Sequence, residues 1–278
     1  MPDKMYLSLK FRVMMGKKLN LKNPQTFNEK LQWLKLYDRK PIYTTMVDKY
    51  EAKKYVASII GEEYIIPTLG VWDSPDEIDF DSLPDQFVLK CNHNSGRGMC
   101  ICTDKSKLDI EAVKRGLQKG LNENYYITNR EWPYKDVPRK VIAEKYMVDG
   151  ADTELKDYKF MCFGGRAYCS FVCSDRFSED GLKVTFYDRE WKKMPFIRHY
   201  PSSVEDIEMP KQYYAMMDFA EKLSKDIPFV RVDFYEVEGH LYFGELTFYP
   251  GSGMEEFEPE EWDYKLGDWV KLPGCVGG

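Results

Sequence analysis

The chain has 278 residues, of which 43% are hydrophobic and 15% aromatic, and a formal net charge of −6. That is enough apolar material for one large domain or two modest ones, and it excludes global disorder. The small acidic surplus argues against binding driven by nucleic-acid phosphates, although 40 Lys and Arg residues leave room for a local phosphate site.

Seven cysteines, odd in number and without a CxxC pair, and three distant histidines indicate neither a disulfide framework nor a zinc site. Cys100 and Cys102 read as small buried hydrophobes in a strand. No run reaches membrane-spanning length, and the free thiols fit a reducing, cytoplasmic compartment.

Residues 1–22 are basic and amphipathic, suited to a helix packed on the body or to a contact with an acidic partner or membrane surface. Thr26 and Glu29 form a capping box ahead of Phe27, Leu31 and Leu34, which predicts a helix to about Tyr37, stopped by Pro41. A second helix is expected from Thr44 or Thr45 through Val47, Val56 and Ile59–Ile60 to Gly61. Asp48 would complement the dipole of its first turn. Lys49, a cation near a helix N-terminus, is better explained if it faces an anion.

Phe87–Leu89 and Met99–Cys102 read as strands, with Lys90 leading into the polar loop Asn92–Gly98. Gly96 and Gly98, with Asn94 and Ser95, allow several backbone N–H groups to meet one anion. Most such loops bind nothing, and this one lacks the Walker spacing. A helix from Asp104 to about Asn122, an irregular aromatic segment and the strand VIAEKYMV follow. A hairpin about Gly164-Gly165 sets Asp157 and Lys159 on one face, Tyr158 and Phe160 on the other. After the strand LKVTFYD, a helix from about Pro210 to Lys225 carries a Met and aromatic stripe that reads as core.

The densest chemistry lies in the hairpin from Phe229 to Gly253. With its turn at Glu238-Gly239 and its centre on Gly239, Asp233 falls opposite Glu245 and Arg231 opposite Thr247. Directly paired residues share a face, with Cβ atoms roughly 5 Å apart. Adjacent carboxylates repel unless a cation lies between them, and a hard cation such as Mg²⁺ takes oxygen ligands of this kind. A solvated face of mixed charge fits the same residues, and a slip of one position would dissolve the patch.

The order of these pieces resembles the ATP-grasp enzymes, and within them the teichuronopeptide-biosynthesis (TupA-like) family of surface-polysaccharide loci. The matching segments are TFNEKLQWLKLYDR, VDKY, LPDQFVLKCNHNSG, VIAEKYM, DYKFMCF, VRVDFY, GELTFYPGSG and WDYKLGDW, which cover most of the chain from about Asn20 onward. The resemblance implies an α+β ATP-grasp fold, with two α+β subdomains whose antiparallel sheets clasp ATP. The ATP-grasp domain would span residues 44–278, in subdomains of about 44–147 and 148–278. A helical segment, residues 1–43, would replace the full domain that precedes it in many relatives.

The resemblance also implies roles. Lys49 and Lys90 neutralise nucleotide phosphates. Asn94, Ser95, Gly96 and Gly98 belong to the loop that closes over the triphosphate, where His93 and Arg97 either add charge or face solvent. Glu144, Lys145, Tyr146 and Met147 form the hinge whose backbone meets adenine, so that strand geometry there outweighs side-chain identity. Asp157 accepts a ribose hydroxyl, with Glu154 as its competitor, and Lys159 adds to the nucleotide site. Asp233, Glu245 and Thr247 hold Mg²⁺, with two ions expected, while Arg231 and Lys90 act on the transferring phosphoryl group. Many ATP-grasp enzymes have Asn at the position of Thr247, so a weaker metal contact is implied.

The implied reaction is the ligation of a carboxylate to an amine through an acylphosphate. The implied partners are an amino acid or amine and a uronic-acid saccharide, with no nucleic acid, no integral membrane segment and room for peripheral association with polysaccharide machinery. Three rivals stay open. One is a glycosyltransferase, for which Asp79-Phe80-Asp81 supplies an Asp-x-Asp motif within an acidic, Pro-flanked linker. The others are a carbohydrate or small-molecule kinase using the same site and a non-catalytic binding module.

Overall fold

The structure, a computed structural model, describes residues 1–148, 155–174 and 181–274. Asp149-Gly150, Glu154 and Cys275 lie outside these residues. The chain divides into two units, Lys40–Glu154 and Met1–Arg39 together with Leu155–Gly278.

The N-terminal helices therefore group with the chain that follows residue 154. Helix α1 (Asp3–Met15) turns Leu7, Phe11 and Met15 inward against Leu19 and Met254. Helix α2 (Phe27–Tyr37) begins at the expected capping box, where Thr26 Oγ1 accepts from the Glu29 N–H at 3.1 Å and the Glu29 carboxylate accepts from the Thr26 N–H at 3.3 Å. Its Phe27 ring meets Phe229 edge-on at 4.9 Å. Its buried Lys35 donates to the carbonyl (2.8 Å) and hydroxyl (2.7 Å) of Ser252, holding the turn Pro250–Gly253.

In the Lys40–Glu154 unit, the single helix expected over residues 44–60 is two, α3 (Ile42–Val47) and α4 (Glu51–Ile60). Asp48 makes the break. Its backbone is extended, and its carboxylate accepts from the N–H groups of Tyr50 (2.9 Å) and Glu51 (3.4 Å), as a capping side chain does. Asp48 and Lys49 thus stand ahead of α4 and not inside a first turn.

Strands β1 (Thr68–Trp72), β2 (Phe87–Cys91), β3 (Cys100–Cys102) and β4 (Val141–Lys145) pair antiparallel in the order β1-β4-β2-β3. Cys102 is buried and Cys100 half-buried. Helix α5 (Ile110–Leu121) is shorter than expected, because Asp109 and not Asp104 caps it, accepting from the Ala112 N–H at 2.9 Å. Leu117 and Leu121 of α5 join Phe87, Leu89, Val141 and Ala143 in the core of this unit. The aromatic segment after it contains a short helix, α6 (Tyr125–Asn129).

The other unit is built on β5 (Asp157–Phe163), β6 (Arg166–Ser174) and β7 (Lys183–Asp188), followed by β8 (Ile197–Arg198), α7 (Tyr213–Leu223), β9 (Phe229–Val237) and β10 (His240–Thr247). The main sheet runs β10-β9-β5-β6-β7, all antiparallel. β11 (Phe257–Glu258) pairs with β8, and α8 (Glu261–Trp269) follows. Strand alternation gives the sheet two characters. One face turns Phe160, Val232 and Phe234 toward α7, whose Tyr213, Met216, Met217, Ala220 and Leu223 are buried as the stripe predicted. The other carries Asp157, Lys159, Arg231, Asp233, Tyr235, Glu245 and Thr247.

Among the described residues the cysteines are free thiols, and no helix is long and apolar enough to cross a membrane.

Candidate functional site

Chemistry-bearing residues gather in two clusters, one in each unit. In the Lys40–Glu154 unit the focus is Glu144. Antiparallel pairing sets it opposite Val88, two residues from Lys90, while α4 supplies Lys53. The buried Glu144 carboxylate lies 2.7 Å from the Lys53 ammonium and 2.5 Å from that of Lys90. Burial alone would raise its pKa, but the charges of Lys90 and Lys53 prevail and hold it below the usual carboxylate range. Burial pushes Lys53 below its ordinary value, which Glu144 offsets only in part. Side-chain identity at Glu144 therefore matters electrostatically, which the reading of this stretch as a backbone hinge does not include. Lys145 spends its N–H on the Pro67 carbonyl at 3.0 Å, and Tyr146 and Met147 are half-buried just beyond the strand.

Lys49 faces the polar loop. Its N–H donates to the Asn92 carbonyl at 3.1 Å and its Nζ to the Asn94 carbonyl at 2.5 Å. The loop is anchored at its start, where Asn92, His93 and Asn94 are buried. Asn92 Nδ2 donates to Asp48 (2.9 Å) and to the Pro138 carbonyl (2.8 Å), while its Oδ1 accepts from the Lys140 N–H (2.8 Å). Asn94 Nδ2 donates to the carbonyls of Arg97 (3.1 Å) and Gly120 (3.2 Å). Gly98, at φ +78°, closes the loop onto α5 so tightly that a Cβ there would lie 2.9 Å from the Gly116 carbonyl oxygen. Ser95, Gly96 and Arg97 form the exposed tip.

His93 is buried and not solvent-facing. Its Nε2 lies 3.1 Å from the Glu123 carbonyl oxygen, and burial pushes its pKa down, which disfavours the charged ring. Arg97 is solvent-facing, 3.5 Å from Glu123. Asp79 and Asp81 are exposed around the buried Phe80, with Asp79 accepting from the Asp81 N–H at 3.1 Å, so this Asp-x-Asp motif is a turn anchored by its aromatic residue.

In the other unit, β9 and β10 bring the hairpin residues together in the expected register, Asp233 opposite Glu245 and Arg231 opposite Thr247. They arrive there by an unexpected route. Next to the turn the pairs are Val237 with His240 and Phe234 with Phe243, and a bulge at Gly244 then shifts the register by one. The bulge needs glycine for space, since a Cβ at Gly244 would lie 3.0 Å from the Tyr235 ring and 3.1 Å from the Asp233 carbonyl oxygen.

The Arg231 guanidinium ties this face together. Nε donates to Asp233 Oδ1 at 2.7 Å, and Nη2 lies 2.6 Å from Asp233 Oδ2, 2.7 Å from Glu245 Oε1 and 3.0 Å from Thr247 Oγ1. Lys159, opposite Asp233 on β5, donates to Asp233 Oδ2 at 2.6 Å and lies 3.4 Å from Asp157. Tyr235 donates to Asp157, and burial together with that carboxylate pushes its phenol well up. Burial works against the Arg231 and Lys159 charges, but the facing carboxylates, Asp233 foremost, hold both above their ordinary values.

The cation lying between the two carboxylates is therefore the guanidinium. Among the described residues no group of three or more His, Cys, Asp or Glu is arranged to hold a metal ion. Hard oxygen donors are nonetheless present. The Glu245 side chain is 42% exposed with the Thr247 hydroxyl 3.1 Å away, which fits a Mg²⁺ ligand set completed by water and phosphate oxygens. Asp233, 1% exposed, has both oxygens engaged by cations and fits a metal only after exchanging one of them.

Lys53, four residues after Lys49, escapes the sequence reading, whereas Tyr235 falls in the same alternation as Arg231 and Asp233 and gains its role only from its bond to Asp157.

None of the proteins of curated function matches the chain. Similar solved structures include D-alanine–D-alanine ligase from Bacillus anthracis, with 18% identity, 73% of this chain and 57% of that one covered, and a TM-score of 0.42. The D-alanine–D-alanine ligase from Helicobacter pylori gives 12% identity, 88% and 69% coverage and a TM-score of 0.47, and D-cycloserine synthetase DcsG gives 14%, 83% and 72%, and 0.44. The chain thus spans 57% of the length of the Bacillus anthracis ligase. A family model described as TupA-like ATP-grasp matches residues 29–271, and the chain belongs to that family, with its α+β ATP-grasp fold.

Proposed function

We propose that the protein is an ATP-dependent ligase that joins an amino acid or amine to a uronic-acid carboxylate of a capsular or cell-surface polysaccharide. Given the family, the observation that carries this reading is the partly buried network in which Arg231 bridges Asp233, Glu245 and Thr247 with Lys159 alongside.

In this reaction the carboxylate oxygen attacks the γ-phosphoryl group of ATP, releasing ADP and leaving an acylphosphate. The amine then attacks the acyl carbon, loses a proton and expels phosphate, forming the amide. The chain needs no nucleophile of its own, so its task is neutralisation, alignment and exclusion of water. Lys49 and Lys90 take the nucleotide phosphates, with Lys90 exchanging Glu144 for a phosphate while Lys53 keeps Glu144 paired. Asn94, Ser95, Gly96 and Gly98 supply the phosphate loop. The backbone of Glu144, Lys145, Tyr146 and Met147 faces adenine, and Asp157 with Lys159 meets the ribose and phosphate end. Glu245 and Thr247 would hold Mg²⁺, with Asp233 added on exchange of one of its cations, and the ion would supply neutralisation of phosphate charge. Arg231, released from the carboxylates, stabilises the transferring phosphoryl group.

The test is incubation with ATP, Mg²⁺, a uronic-acid glycan and pooled amino acids, read by ADP release and mass spectrometry. An amide mass gain is expected. A phosphate mass gain would make the protein a kinase, and release of UDP from a sugar nucleotide would make it a transferase.

A further inference from the structure

Helix α1 is apolar on two sides. Leu7, Phe11 and Met15 are buried in the body of the protein. On another side Met5 (60% exposed), Leu9 (57%) and Val13 (73%) follow one another every four residues. Residues four apart stack along one side of a helix, so Met5 to Val13 form a continuous stripe about 12 Å long at 1.5 Å per residue. Isolated exposed hydrophobic residues are ordinary, but a surface helix normally gives its outer side to polar groups, and a stripe in register marks a contact surface.

Charge selects the partner. Residues 1–22 contain six Lys and Arg (Lys4, Lys10, Arg12, Lys17, Lys18 and Lys22) against one acid, Asp3, in a chain whose net charge is −6. Asp3 is paired with Arg39 at 2.9 Å and Lys17 with Glu260 at 2.5 Å, whereas Lys4, Arg12 and Lys18 are exposed. The apolar stripe therefore lies in the most basic stretch of an acidic molecule. Packing α1 on a second copy about a two-fold axis would bring like cations together. An anionic bilayer surface complements both features, taking the cations at its headgroups and the Met, Leu and Val side chains at the acyl boundary.

We propose that α1 docks the protein on an anionic lipid surface, lying in the plane of the interface with Met5, Leu9 and Val13 inserted. This inference is independent of the proposed reaction.

Flotation with vesicles of phosphatidylcholine alone, or of phosphatidylcholine with phosphatidylglycerol, tests it on the full chain. The protein should float with the anionic vesicles only, and less of it as salt rises. Leu9→Gln with Val13→Gln should lower vesicle affinity by about tenfold or more, and Lys4→Glu with Arg12→Glu by a similar factor. All four positions are exposed, so the melting temperature should stay near that of the unaltered protein. Equal flotation with both vesicle types, flotation with neither, or a Leu9→Gln/Val13→Gln protein that floats like the parent would overturn the proposal. A parent that fails to float but sediments as a dimer, and becomes a monomer on the same double substitution, would assign the stripe to a second copy.

Discussion

Asp233 and Glu245 face each other across β9 and β10 because Gly244 adds one residue to β10. Were the register set at the turn to continue, Glu245 would pair with Val232 and point to the face covered by α7. One bulged glycine therefore decides whether the second carboxylate belongs to the charged cluster or to the core.

Substitution at that glycine tests the relationship. In Gly244→Val the new side chain meets the Tyr235 ring and the Asp233 backbone, and the backbone cannot swing aside as a flexible side chain can. Overpacking of this kind should cost about 1–3 kcal/mol in urea unfolding. Nucleotide turnover should fall further than that loss explains, because Glu245 is displaced. Parent-like stability and turnover would show that the strands tolerate another register.

The two carboxylates should respond differently to neutralisation. Asp233 is enclosed by Arg231 and Lys159, so Asp233→Asn leaves two buried cations poorly compensated and should cost about 3–5 kcal/mol as well as activity. Glu245 is 42% exposed, and Glu245→Gln should stay within about 1 kcal/mol of the parent while Mg²⁺-dependent ADP release is lost. Glu245 is thus the cleaner probe of the metal, read by activity against Mg²⁺ concentration beside a denaturation curve. Full activity in Glu245→Gln would remove it from the ligand set.

Much of this architecture is legible in the sequence wherever the signal is local. The Thr26–Glu29 capping box, the α7 stripe and the Glu238-Gly239 turn each follow from residues within a few positions of one another. Failures come where a distant partner decides. Asp48 looks like a first-turn acid, but it caps the next helix because Asn92, far along the chain, holds it there at 2.9 Å. Glu144 looks like one residue of a hinge, yet β4 lies between β1 and β2, and that order sets it beside Lys90. The Asp233–Glu245 register is reached with the right pairing and the wrong centre, since alternation alone does not reveal where a bulge lies.

The Glu144 cluster yields a stability prediction with a definite pH sign. Glu144→Gln removes the counter-ion of Lys53 and Lys90 and should destabilise the protein by about 3–5 kcal/mol near neutral pH. Adding Lys53→Met should recover part of that loss, because the remaining buried cation goes with it. The folded-state pKa of Glu144 is depressed, so its contribution is complete above the unfolded value, near 4.5, and is lost as pH falls through the folded value. The acid limb of the parent should therefore be steeper than that of Glu144→Gln below about pH 4.5. Identical limbs would show that Glu144 is not an ionised counter-ion.

His93 adds a separate limb at higher pH. The ring is buried with Nε2–H on the Glu123 carbonyl, and Nδ1 has no hydrogen-bond partner. Burial disfavours a second proton and outweighs the opposing help of the Glu123 carbonyl, while the charges of Arg139 and Lys49 add smaller contributions in the same direction as burial. Its folded pKa is thus below the unfolded value of 6.5, so the unfolded chain takes up a proton that the folded chain refuses. The stabilisation is complete above that unfolded value and erodes as pH falls from it toward the folded one, by at most about 1.4 kcal/mol per pH unit. The melting temperature of the parent should therefore decline as pH falls below about 6.5, and His93→Gln, which keeps a donor but cannot titrate, should flatten that decline. If the two proteins show the same slope below that value, the fold does not depress the pKa of His93, the ring takes a proton as readily as in the unfolded chain, and it regains its place as a candidate phosphate contact.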